Sequence, residues 1–284
     1  MATEQVIGVI GAGTMGSGIA QVCALAGLSV VMVDVDAKRV ARGRDTIASA
    51  LERLVKKAQL VAAERDAVLG RVRGVTDYGA LGDAGLIIEA ASEDEALKIK
   101  ILRQADAIAK DGAIVATNTS SISISKLAAA MQQPARFVGL HFFNPVPLMT
   151  LVEVVRGRHT GDATVEAAVA LAKRVGKIPV VVKDSPGFVV NRLLCPMLNE
   201  AVLAYGEGIA SAPDIDEAMK LGCNHPIGPL ALADLIGLDV VLAVMEVFHR
   251  EFKNAKYRPA PLLAEMVADG KLGRKSGRGF YTYS

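Results

Sequence analysis

Residues 6 to 34 hold the pattern that most restricts the fold. Val6 to Ile10 is a short apolar run that leads into Gly11-Ala12-Gly13-Thr14-Met15-Gly16. Thr14 to Ala26 then reads as a helix, and Val30-Val31-Met32-Val33 as a second apolar run stopped by Asp34. Short apolar runs of this kind are strands buried on both faces. A strand, a helix and a second strand in that order form a right-handed crossover, which commits the chain to a parallel sheet.

The glycines between strand and helix have separate tasks. The first permits the tight turn, the second lets the main chain approach a pyrophosphate, and the third lets helix and strand pack closely. The helix start adds free N–H groups and the positive end of its dipole. Asp34 lies 18 residues after Gly16, where a carboxylate binds the ribose hydroxyls of a dinucleotide. It would repel a 2′-phosphate, which favours NAD over NADP. Lys38 and Arg39 lie close behind and keep that preference open. Similar turns occur in FAD and S-adenosylmethionine folds, so fingerprint and carboxylate alone do not establish a nicotinamide.

The rest of the chain divides by texture. Residues 37–70 are charged and alanine-rich, with Val40, Ile47, Leu51, Leu54 and Val55 at helical spacing, and predict two helices broken near Ala58 to Val61. Strands are expected at 71–75, 86–89, 113–117, 137–141, 151–155 and 180–182, with a helix at about 95–109. Asp184-Ser185-Pro186 has the look of a helix start, a capping residue with proline in the first turn. Beyond it only helices are expected, at 187–206, 213–221, 228–236, 238–252 and 260–269. The expected fold is therefore α/β: a Rossmann-type, mostly parallel sheet domain over 1–185 with an inserted helix pair at about 37–70, then an all-helical domain over 186–284.

Composition excludes several classes. With 284 residues, 51% hydrophobic and 22% charged, the chain has material for a large core and is not disordered. A net charge of +2 gives no reason to expect nucleic acid as a partner. Cys23, Cys195 and Cys223 are far apart and lack metal-ligand spacing, so no metal site and a reducing, cytoplasmic setting are expected. The opening Met-Ala-Thr-Glu-Gln lacks the basic start of a signal peptide, and no apolar stretch has membrane-spanning length.

Four positions can carry chemistry. His141 ends the apolar run Val138-Gly139-Leu140 and opens His-Phe-Phe-Asn-Pro-Val-Pro, at a strand end where α/β sheets place ligands. Glu153 sits inside the apolar run 151–155 and needs a partner. If the two strands form a hairpin, Glu153 can face His141, and a carboxylate-held imidazole is a tuned general base. A structural ion pair has the same spacing. Thr117-Asn118-Thr119-Ser120-Ser121 offers hydrogen bonds to a substrate oxygen, or caps for a nearby helix. Asn191 stands among Phe188, Val189, Val190, Leu193 and Leu194, where its amide needs partners of either kind.

With these motifs the chain resembles the short-chain L-3-hydroxyacyl-CoA dehydrogenase family along its whole length. The matching stretches are 9–16, 116–121, 141–147, 184–192 (Asp-Ser-Pro-Gly-Phe-Val-Val-Asn-Arg), Pro226-Ile227-Gly228-Pro229 leading to Asp234, and Gly277-Arg278-Gly279-Phe280-Tyr281. The resemblance implies His141 as general base, Glu153 as its orienting carboxylate, and Ser120 and Asn191 on the substrate. It implies NAD contacts at Gly11, Gly13, Thr14, Met15, Gly16, Asp34, Glu93, Lys98, Asn118, Asn144 and Lys275. It places CoA phosphates near Lys57, with Arg53 and Lys56 completing a basic patch; an ordinary solvated helix face is the other use of such charges. Ala50 stands where some relatives carry a serine toward CoA. A homodimer through the helical domain is implied too. A sugar-acid dehydrogenase of similar build and a non-catalytic nucleotide-binding relative are the alternatives.

Overall fold

A computed structural model describes residues 6–283. The opening pentapeptide, on which the expectation of no signal peptide partly rests, lies outside the described residues. The chain divides into two compact units, Met1–Ser185 and Pro186–Ser284.

The first unit is an eight-stranded sheet with helices. In chain order it comprises β1 (Val6–Ile10), α1 (Thr14–Leu25), β2 (Ser29–Val33), α2 (Ala37–Lys56), α3 (Ala62–Gly70), β3 (Val72–Val75), β4 (Leu86–Glu89) and α4 (Glu95–Ile108). Then follow β5 (Ile114–Thr117), α5 (Ile124–Ala128), β6 (Phe137–Phe142), β7 (Leu151–Arg156), α6 (Asp162–Arg174) and β8 (Ile178–Lys183). The strand order is β3-β2-β1-β4-β5-β6-β7-β8. All neighbours are parallel except β6 and β7. The order reverses direction between β1 and β4, which opens the crevice where such sheets take ligands.

Burial explains the strands. β1, β2 and β4 are apolar but for Ser29 and Glu89 and almost wholly buried, as strands covered on both faces must be. Ile19, Val22 and Cys23 of α1 join Val9, Val30 and Met32 of the sheet and Ile47 and Leu51 of α2 in one core. Each such large aliphatic side chain contributes about 1.5–3 kcal/mol by leaving water. α2 buries Val40, Gly43, Ile47 and Leu51, one stripe at helical spacing, so its opposite face carries its charges. Its Asp36 cap accepts from the Lys38 amide, and the helix stops where Ala58 turns to φ 54°.

The expected helix start at Asp184 needs correction. The next helix, α7 (Val190–Gly206), begins later, because Gly187 and Phe188 adopt φ of 75° and 51°. Asp184 caps a different helix, 60 residues back in the chain. Its carboxylate accepts from the Ser123 hydroxyl at 2.7 Å and from the Ile124 and Ser125 amides at 3.1 and 2.7 Å, at the start of α5.

The second unit adds α8 (Ala212–Cys223), α9 (Pro229–Ile236), α10 (Leu238–Phe252) and α11 (Pro261–Ala268). α10 buries Leu238, Val241, Met245 and Phe248 along one face. Leu198 and Val202 of α7 pack with Leu230, Ala233, Leu238, Val241 and Leu263. Two buried aspartates fasten the chain end. Asp216 accepts from the Leu230 and Ala231 amides at 2.8 and 2.9 Å and from the Tyr281 hydroxyl at 2.7 Å. Asp234 accepts from the Phe280 and Tyr281 amides, both at 3.0 Å, and from the Tyr283 hydroxyl at 2.9 Å.

Candidate active site

The glycine loop is shaped by contact as well as by conformation. Gly11 has φ 102°, and a Cβ there would lie 2.7 Å from the Ala90 carbonyl oxygen. A Cβ on Gly16 would lie 1.8 Å from the Gly11 oxygen, whereas one on Gly13 would meet nothing within 4 Å. The open side of the turn is therefore at Gly13, beside the start of α1, which no side chain caps. Main-chain N–H groups left without a side-chain cap at a helix start suit a pyrophosphate. Asp34, at the end of β2, is aimed by the Ala12 and Val35 amides, both at 2.8 Å. Its acceptor carboxylate beside this turn fits a ribose diol. Arg39 lies 3.9 Å from it and is mostly exposed.

His141 and Glu153 stand directly opposite each other in the antiparallel β6–β7 pair. His141 Nδ1 is 2.8 Å from Glu153 Oε2, and the residues are 5% and 1% exposed. An ionised carboxylate only accepts, so in this pair Nδ1 is the nitrogen that carries the hydrogen. The ring also packs on Phe143, with centroids 4.3 Å apart.

A second polar network runs across β4, α4 and β5. Glu89, at the end of β4, is fully buried and accepts from Lys98 Nζ at 2.5 Å, the Thr117 hydroxyl at 2.7 Å and the Ala91 amide at 2.9 Å. Lys98 is itself buried and lies 3.6 Å from Glu93. Glu93 Oε1 accepts from the Thr119 hydroxyl at 2.8 Å and from the Ser120 amide and hydroxyl at 2.6 and 2.8 Å. Asn118 accepts from the Phe142 amide at 2.9 Å, tying this loop to the strand of His141. The sequence reading missed Glu89, although a carboxylate closing the apolar run Leu86-Ile87-Ile88 is the signal that singled out Glu153.

Beside α1 lies a groove of about 570 Å³. Asn144 to Leu148 form one wall, α1 residues from Thr14 to Leu25 another, and Thr46, Ala50, Arg53, Leu54 and Lys57 the third. The last five occupy one face of α2 and its C-terminus. Lys56 falls outside that face, exposed and not in the lining. In the second unit, Asn191 stands in the first turn of α7 and Lys275 pairs with Asp239. Among the described residues no group of three or more His, Cys, Asp or Glu side chains is arranged as metal ligands, and no helix is long and apolar enough to cross a membrane.

Comparison with known proteins agrees along the whole chain. Residues 6–185 match the family model of the 3-hydroxyacyl-CoA dehydrogenase NAD binding domain, and residues 187–283 that of the 3-hydroxyacyl-CoA dehydrogenase C-terminal domain. A probable 3-hydroxybutyryl-CoA dehydrogenase of Deinococcus radiodurans is 50% identical over 97% of this chain and 99% of its own. A 3-hydroxybutyryl-CoA dehydrogenase of Bradyrhizobium diazoefficiens is 50% identical over 98% of this chain and 94% of its own. The crystal structure of (S)-3-hydroxybutyryl-CoA dehydrogenase from Ralstonia eutropha is 58% identical, with a TM-score of 0.98 over 99% of this chain and 100% of that one.

Proposed function

The chain belongs to the 3-hydroxyacyl-CoA dehydrogenase family, and from that premise we propose that it oxidises (S)-3-hydroxybutyryl-CoA to acetoacetyl-CoA with NAD, or runs the reverse reduction. The observation that carries this reading is the buried His141–Glu153 pair, on the sheet that also bears the glycine turn and Asp34.

NAD, when bound, supplies the hydride acceptor. Gly11, Gly13, Thr14, Met15 and Gly16 hold its pyrophosphate at the start of α1, and Asp34 holds its ribose. Glu93, Lys98, Asn118 and Asn144 complete its surroundings. His141 takes the proton of the C3 hydroxyl on Nε2 during oxidation and returns it during reduction. Glu153 accepts from Nδ1, fixes the tautomer and stabilises the imidazolium. Ser120 hydrogen-bonds the substrate near C3. Imidazole handles the alkoxide proton, so the proposed chemistry assigns no role to a metal.

The groove along α2 supports a CoA ester over a free acid. Its mouth offers Arg53 and Lys57 to phosphates, and its apolar wall suits the pantetheine chain. Ala50 in that wall provides no serine hydroxyl, and Lys56 acts at longer range. We further propose a homodimer through the helical unit, supported by exposed Leu193, Ile209, Leu221 and Leu235 on its surface. A cytoplasmic setting is supported by three free cysteines. A one-chain mass by light scattering would remove the dimer.

The test is NADH absorbance with acetoacetyl-CoA, alongside NADPH and free acetoacetate. Rapid oxidation of NADH with the thioester alone is expected. Equal rates with free acetoacetate would remove the CoA site from the proposal.

A further inference from the structure

Lys177 is a buried lysine that this chemistry does not use. It stands between α6 and β8 and is 7% exposed. Burial pushes its pKa below the ordinary lysine range. A buried ammonium has to be met by acceptors. Here both belong to one loop: Nζ donates to the Val146 oxygen at 2.6 Å and to the Met149 oxygen at 2.8 Å.

One side chain of that loop, Val146, is buried in the sheet core at 2% exposure, and the rest of the loop has fewer anchors. Pro145 and Pro147 have no N–H to donate. The Leu148 and Met149 amides both turn back to the Pro145 oxygen, at 2.9 and 3.0 Å. Leu148 and Met149 are 75% and 41% exposed, so burial anchors neither side chain firmly. Lys177, by contrast, is fixed at both sides. Its amide donates to the Ala172 oxygen at 2.9 Å as α6 closes, and the Ile178 amide donates to the Thr150 oxygen at 2.7 Å as β8 begins. The ammonium thus extends from the α6–β8 junction to a loop whose residues 144–148 line the groove together with Arg53 and Lys57.

We propose that Lys177 is a positioning residue for the thioester: it fastens the 145–149 loop so that the groove wall is in place before acyl-CoA binds. The proposal rests on reading the groove as the acyl-CoA site. A wall set in advance raises affinity by sparing the ligand the cost of ordering it.

Lys177→Met keeps the stem and removes the donors, and Lys177→Arg keeps charge and donors. Steady-state kinetics should show the KM for acetoacetyl-CoA raised ~10-fold in Lys177→Met, with kcat and the KM for NADH within ~2-fold of wild type. Lys177→Arg should recover most of the loss. Hydrogen exchange without substrate should quicken at the Leu148 and Met149 amides and stay unchanged in α6 and β8. If Lys177→Met does not fold, Lys177→Gln, which keeps a polar head of shorter reach, must show the same split. Equal rises in both KM values, or no rise in a folded variant, would overturn the proposal. A wild-type protein inactive on acetoacetyl-CoA would sink the groove reading and the thioester role with it, leaving the exchange data to decide whether the tether exists.

Discussion

The two units satisfy their buried carboxylates in different ways. In the first, Glu89 meets the Lys98 ammonium and Glu153 meets the His141 imidazole. In the second, Asp216 and Asp234 meet neutral donors, main-chain amides and tyrosine hydroxyls. A carboxylate held by neutral donors is a fixed acceptor and serves architecture. A carboxylate beside an ionisable nitrogen can stabilise a charge that comes and goes, which proton transfer requires. Asp184, half-buried, shows that a place in the sheet unit is not what decides: held by two amides and a hydroxyl, it caps α5.

The largest effect expected from this contrast is at His141. His141→Gln should lower kcat by ~10³-fold, within the range for a lost general base, while NADH binding followed by fluorescence stays near wild type. Turnover close to wild type would remove His141 from the proton path. Asp234→Asn should do the opposite. We expect a loss of about 2–3 kcal/mol in urea unfolding, the scale of weakened charge-assisted bonds at a buried site, with kcat of the folded protein little changed. Unchanged stability would break the comparison from its architectural side.

A smaller effect is expected in alkali. Burial and the hydrogen bond to Asp234 push the Tyr283 phenol up to about 12, and burial with the bond to Asp216 pushes Tyr281 higher still. A raised folded pKa means that the stability these bonds confer is fully present below the unfolded phenol's pKa of about 10. It is lost as pH rises through the folded value. Phenolate absorbance should therefore show Tyr281 and Tyr283 ionising late and together with loss of structure, with Tyr78, which burial also raises, ionising late as well. Ionisation of all five near pH ~10 with structure intact would contradict this. The mildest prediction concerns thiols. Burial pushes Cys23 and Cys195 up to about 12, whereas Cys223 is exposed. Native protein at neutral pH should label rapidly at Cys223 alone, since only thiolates react.

What could be read from the sequence was local. Val6 to Asp34 specifies strand, turn, helix and strand through residues that touch their near neighbours, so the mostly parallel sheet and its cofactor turn were legible. The His141–Glu153 pair was legible only if a hairpin was assumed, because alternation within each run does not state which strand lies opposite. The Glu89, Lys98, Glu93 and Ser120 network was not legible. It joins three elements whose adjacency follows from the strand order β1-β4-β5, a tertiary fact. Asp184 was misread for the same reason. Its neighbours Ser185 and Pro186 imitate a helix start, but the turn at Gly187 and Phe188 delays the helix and the carboxylate serves α5 instead. Lys177 offered no local signal, because its two partners lie 31 and 28 residues away.

The most direct test of the central claim is a double-mutant cycle on kcat with His141→Gln, Glu153→Gln and both together. If Glu153 acts through the imidazole, the double variant should be about as slow as His141→Gln alone. Losses that multiply, each variant slowing the other independently, would contradict the account and leave the pair a structural one.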